Sequence, residues 1–91
     1  MNKVARHIIF RGRVQGVGFR FTACRAADRH RLTGTVRNLP AGAVEMVAQG
    51  RPESVDACIK DIQEAFSGYI TGTEVQNVQP SAHYADFRVS Y

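Results

Sequence analysis

Hydrophobic and polar positions change rhythm several times along the chain, and each change marks an element. Ile8-Ile9-Phe10-Arg11-Gly12-Arg13-Val14 predicts a strand, with Ile8, Phe10 and Val14 on one face at period two. A glycine-rich turn, Gly12 to Gly18, follows. From Phe19 to about Arg31 the spacing becomes three and four, with Phe19, Ala23, Ala26, Ala27 and His30 on one side and arginines on the other. That is the pattern of an amphipathic helix. Leu32–Asn38 and Ala43–Ala48 predict two further strands, joined through the turn chemistry of Leu39-Pro40-Ala41-Gly42. Arg51-Pro52-Glu53-Ser54 opens a second helix with the stripe Val55, Cys58, Ile59, Ile62 and Phe66, and Gly68 stops it. A weaker strand from Ile70 to Val78, a turn at Pro80-Ser81 and a last strand with Phe87, Val89 and Tyr91 alternating complete the pattern.

The order is β-α-β-β-α-β with a terminal strand added, the split βαβ or ferredoxin-like arrangement. The expected fold is therefore an α+β sandwich: an antiparallel sheet of about five strands, two helices on one face, and water on the other. The 91 residues suit one domain, 1–91, with one modest core. Many unrelated functions use this fold, so function has to be sought in a site.

Composition narrows the classes. Apolar residues at 44% and charged residues at 22% describe a soluble globular domain. No stretch supplies the ~20 apolar residues of a membrane span. Met1 to His7 is charged where a secretory signal needs an apolar run, so a cytoplasmic location is expected. Cys24 and Cys58 fall one on each predicted helix, a pair that the fold could bring together but that nothing in the sequence assigns to an oxidising compartment. His7, His30 and His83 lack the spacing of a metal site or catalytic pair and read as structural or surface residues. The formal charge of +4 hides an asymmetry: residues 1–37 hold nine of the twelve basic residues and one acid, Asp28. Ten of the twelve are arginine, whose fork suits phosphate and carboxylate. The first half is either a site for an anion or a solvated basic surface.

Gly12-Arg13-Val14-Gln15-Gly16-Val17-Gly18-Phe19-Arg20 favours the site. A strand ends in a loop whose glycines let successive N–H groups point into one concavity, and a helix begins at once, adding its unpaired N–H groups and positive dipole end. Arg20 in the first turn can reach back over that concavity. Better-known phosphate motifs do not fit: there is no Gly-Lys-Ser/Thr tripeptide, position 21 is Phe21 where a dinucleotide fingerprint needs glycine, and Val14 stands where a Cys-x5-Arg phosphatase needs cysteine.

The run at 12–20 resembles the signature of the acylphosphatases, small enzymes that hydrolyse acyl phosphates. Leu32, Gly34, Val36-Arg37-Asn38, Gly42, Val44-Glu45 and Gly50 are similar to the family's second pattern. Two departures stand out: Pro40-Ala41-Gly42 where the family often has aspartate before the glycine, and Gly68-Tyr69 where it often has Gly-Pro. The resemblance implies that the backbone of Gln15, Gly16, Val17, Gly18 and Phe19, with Arg20, binds the phosphoryl group, and that Asn38 orients the attacking water. Arg20 and Asn38 would then be the catalytic residues, and Glu45 a hydrogen-bond anchor.

The chemistry needs few parts. An acyl phosphate releases a carboxylate whose conjugate acid has a pKa of roughly 4, so no general acid is required. The transition state is loose, and positioning plus electrostatic stabilisation carry the reaction. No metal or cofactor is called for. Expected partners are a small acyl phosphate and inorganic phosphate as product and inhibitor, with the chain monomeric. Two alternatives share the fold: the acylphosphatase-like module of hydrogenase-maturation proteins, which handles carbamoyl phosphate but continues into further domains, and RNA-recognition domains. The latter need stacking aromatics on their central strands, and Ala43 to Ala48 has none.

Overall fold

In the computed structural model, which describes residues 2–91, the elements are β1 (Val4–Gly12), α1 (Phe19–Arg29), β2 (Thr33–Asn38), β3 (Val44–Gly50), α2 (Pro52–Ala65), β4 (Ile70–Val78) and β5 (Phe87–Val89). β1 starts four residues before the apolar alternation does. Arg6 and His7 mask the strand in the sequence, and both are paired across the fold: Arg6 with Asp56 of α2 and Asn77 of β4, His7 with Glu45 of β3. Val14 lies beyond the strand yet is fully buried. α1 stops at Arg29, short of the expected Arg31, because the chain reverses there: Arg31 has φ 59° and the Leu32 N–H returns to the Ala27 carbonyl at 2.9 Å.

The strands lie in the order β4-β1-β3-β2-β5. The pairs β1–β4, β1–β3 and β2–β3 are antiparallel, whereas β5 runs parallel to β2, so the sheet is mixed rather than wholly antiparallel. The connection from β4 must cross from one sheet edge to the other, and β3 holds it on the way. Gln49, 1% exposed, donates from Nε2 to the Ser81 carbonyl at 2.7 Å and accepts the Ser81 N–H on Oε1 at 2.9 Å. That end of the helix-free face is covered by chain instead of meeting water. Elsewhere this face carries ion pairs, Arg11 with Glu74 at 2.6 Å and Arg37 with Glu45 at 2.6 Å, and a hydrogen bond between His7 and Glu45.

Both helices pack on the opposite face. The α2 stripe of Val55, Cys58, Ile59, Ile62 and Phe66 is buried as expected, against Ile8 and Phe10 of β1 and Met46 and Ala48 of β3 within one core. His30, just past the end of α1, reaches Asp61 of α2 at 2.7 Å and ties the helices together. Phe10, Phe19 and Phe66 form an aromatic row, with ring centroids 5.1 Å and 4.6 Å apart. Phe19 is the first residue of α1, so this row fixes where that helix begins.

Candidate active site

The segment between β1 and α1 is pinned at both ends by buried side chains. Val14 is 1% exposed and Phe19 is 2% exposed, while Gly16, Val17 and Gly18 between them are exposed. Gly16 and Gly18 adopt φ 75° and 78°, the left-handed region that side chains with a Cβ avoid. A Cβ at either would meet nothing within 4 Å, so glycine is required there by conformation and not by crowding. Gly18 is also the N-cap of α1; no described side chain caps the helix and its first turn holds no acid. The opening N–H groups and the positive dipole end of α1 are therefore not met by a described side chain.

Arg20 stands beside this cradle. Six of the ten arginines pair with described carboxylates, Arg6, Arg11, Arg29, Arg37, Arg51 and Arg88, but Arg20 pairs with none. Its guanidinium carbon lies 5.7 Å from the centre of the Tyr91 ring, which steadies the fork without neutralising it. Asn38 is the last residue of β2, paired in register with Val44. Its Oδ1 is buried and has no hydrogen-bond partner among the described residues. Orphan acceptors of this kind are rare in folded proteins and call for an explanation.

A cavity of about 320 Å³ brings Gly16, Gly18, Phe19, Arg20 and Asn38 together. The Phe19 side chain is committed to the aromatic row, so the backbone is what it offers an anion. Gln15 and Val17 do not line the cavity. The Gln15 side chain turns instead toward the β2–β3 turn, and Val17 is exposed. Sequence reasoning missed the remaining wall: Val14, Phe21, Cys24, Val89 and Tyr91. Phe21 was findable, since it is an aromatic residue on the polar side of α1; it is 66% exposed and Arg25 lies over its ring at 5.6 Å. Tyr91 was not, because nothing local places residue 91 beside residue 20; the last strand ends at Val89, before the expected alternation reaches it.

Glu45 sits on the helix-free face and takes no part in the cavity. The hydrogen bond from His7, reinforced by the Arg37 guanidinium, holds its carboxyl below the usual range, and it anchors three strands. Cys24 and Cys58 are free thiols; burial raises Cys24 and pushes Cys58 up to about 12. The Gly68-Tyr69 departure leaves β4 in place: the Tyr69 carbonyl accepts the Arg13 N–H at 2.9 Å and the strand starts at Ile70.

A ferredoxin-like sandwich with an anion cradle at a helix N-terminus, an unpaired arginine and an orphan amide oxygen defines a small phosphate-handling domain. Comparison with known proteins makes the class specific. The acylphosphatase family model matches residues 6–89, and the chain belongs to that family. An acylphosphatase from Methylococcus capsulatus is 42% identical over 84 residues, 91% of each protein. The crystal structure of acylphosphatase from Bacillus subtilis superposes with a TM-score of 0.89 at 31% identity, covering 97% of this chain and 99% of that one. HypF from T. kodakarensis matches with a TM-score of 0.84 at 33% identity, covering 97% of this chain but 12% of that one.

Proposed function

We infer that the protein performs the reaction of its family, hydrolysis of the carboxyl–phosphate bond of acyl phosphates, with Arg20 and the loop amides from Gln15 to Phe19 holding the phosphoryl group and Asn38 aiming the water. The observation that carries this reading is that Asn38, whose Oδ1 is buried and has no partner among the described residues, lines the same cavity as Arg20, which has no ion pair among them, and the start of α1.

Water donates one proton to Oδ1, which turns a lone pair of its oxygen toward phosphorus. The new P–O bond forms as the bond to the acyl oxygen breaks, and the carboxylate leaves with the electron pair. Amide oxygen is too weak a base to keep a proton, so the proton lost by water ends on a phosphoryl oxygen. Charge on the equatorial oxygens is met by the Arg20 fork and by N–H groups already in place. The leaving carboxylate needs neither a proton nor a metal.

The acyl group faces Phe21, Cys24, Val89 and Tyr91, a wall that favours apolar acyl groups over the small polar carbamoyl group. Inorganic phosphate shares the cradle and inhibits competitively. A monomer is the proposed active unit. The two free thiols support a reducing, cytoplasmic setting. Against an RNA-binding role, β3 presents Glu45, Val47 and Gln49 to the helix-free face where stacking aromatics are needed.

Phosphate release from benzoyl phosphate, with an alkyl phosphomonoester as control, tests the proposal. Rapid turnover of the first alone, unchanged by EDTA, is the expected result. Comparable turnover of the alkyl ester, or a loss in EDTA restored by magnesium, contradicts it.

A further inference from the structure

We propose that Gln15 is a positioning residue: its side-chain amide sets the distance between the phosphoryl cradle and Asn38. The proposal rests on the reading that Asn38 aims the water. Nε2 of Gln15 donates to the Leu39 carbonyl at 2.8 Å and to the Ala43 carbonyl at 2.9 Å. Those carbonyls flank the β2–β3 turn, which the Leu39 N–H closes onto the Ala43 carbonyl at 2.8 Å. Leu39 follows Asn38 directly. Among the described residues no other hydrogen bond joins residues 15–18 to the 38–43 turn.

The two halves of the site are mechanically different. Asn38 sits at the end of a paired strand, while the cradle is a loop with two left-handed glycines, pinned at its ends by buried Val14 and Phe19. A single donor would leave a hinge between them. A planar –NH2 with both hydrogens engaged fixes the orientation of the amide as well as its distance. Gln15 precedes Gly16 and Gly18, so this bond acts before the two left-handed glycines. The side chain therefore works on the water through Asn38.

The test is a double-mutant cycle on benzoyl phosphate hydrolysis, read together with inhibition by inorganic phosphate and thermal melts. Gln15→Met keeps the length and removes the donors. It should lower kcat by about 10- to 100-fold, the scale of a misplacement of about 1 Å, with the phosphate inhibition constant held within about threefold. In an Asn38→Ala background the same substitution should change kcat by less than about threefold, because the aim is already lost. Multiplying effects, or a loss of phosphate affinity that matches the loss of kcat, overturns the proposal and leaves the role of Asn38 standing. Normal turnover in Asn38→Ala overturns both. Should Gln15→Met fail to fold, Gln15→Lys and Gln15→Glu replace it. The ammonium can donate to both carbonyls and should stay within about tenfold of the parent; the carboxylate opposes two carbonyls with acceptors alone and should be slower than lysine by at least about tenfold. Equal rates for that pair overturn the proposal.

Discussion

Asn38→Ala should cost the protein its turnover and little of its stability. The turn after Asn38 does not depend on the Asn38 carboxamide: Leu39 N–H bonds the Ala43 carbonyl at 2.8 Å, Gly42 N–H bonds the Leu39 carbonyl at 3.1 Å, and Gln15 bridges the same carbonyls. Among the described residues nothing donates to Oδ1, so its removal breaks no hydrogen bond of the fold. Alanine costs about 1 kcal/mol in lost packing, a small case of the large-to-small penalty. In a domain of this size 1 kcal/mol moves Tm by ~4–8 °C, so the variant should melt within about 8 °C of the parent. Its kcat should fall by about 10²–10³, the scale for one preorganised polar group, while inhibition by phosphate stays nearly unchanged. Calorimetry and steady-state kinetics on benzoyl phosphate read both effects from one preparation. A fall in Tm well beyond about 8 °C, by the same conversion, would mean that Oδ1 is a structural acceptor and would refute the reasoning.

Other substitutions separate the remaining roles. Arg20→Ala removes a side chain that has no ion pair, so it should melt within a few degrees of the parent while kcat/KM and phosphate affinity collapse together; Arg20→Lys should not restore them, since a point charge cannot make the fork. Phe19→Ala opens a hole in the Phe10–Phe19–Phe66 row and should cost ~3–5 kcal/mol in denaturant unfolding, with loss of activity following from the shifted helix start. Glu45 has a lowered carboxyl pKa, so its contribution is complete above the ordinary value of about 4.3 and disappears as pH falls through the folded-state value. Glu45→Gln should therefore destabilise at pH 7 and converge with the parent in acid; an equal deficit at pH 7 and pH 3 would contradict the pairing with His7 and Arg37.

The parts of this fold that were legible in the sequence are those written in local rhythm. The α2 stripe and the bounds of β4 follow from periodicity, and the glycine loop before Arg20 from its composition. The start of β1 was hidden because Arg6 and His7 look like surface residues until their partners Asp56 and Glu45 arrive from distant parts of the chain. The direction of β5 was hidden for the same reason: it follows from a crossover fastened by Gln49 and Ser81, which no window of sequence contains. At the site, residue type carried Arg20 and Asn38, but their condition did not show. That Arg20 has no carboxylate partner and Oδ1 of Asn38 no hydrogen-bond partner among the described residues, and that Arg20 lies over the Tyr91 ring, are properties of the assembled molecule.

The central claim is that the loop from Gln15 to Arg20 is a phosphoryl cradle, and titration of the 15N-labelled protein with inorganic phosphate tests it most directly. The amides of Gly16, Gly18, Phe19 and Arg20 should shift first and saturate together, at the concentration where phosphate inhibits hydrolysis by half when substrate is well below KM. Arg13, Arg25 and Arg31, which also lack ion pairs among the described residues, should move little. Shifts confined to those arginines, with the loop silent, would make the charge of the first half a basic surface and contradict the site.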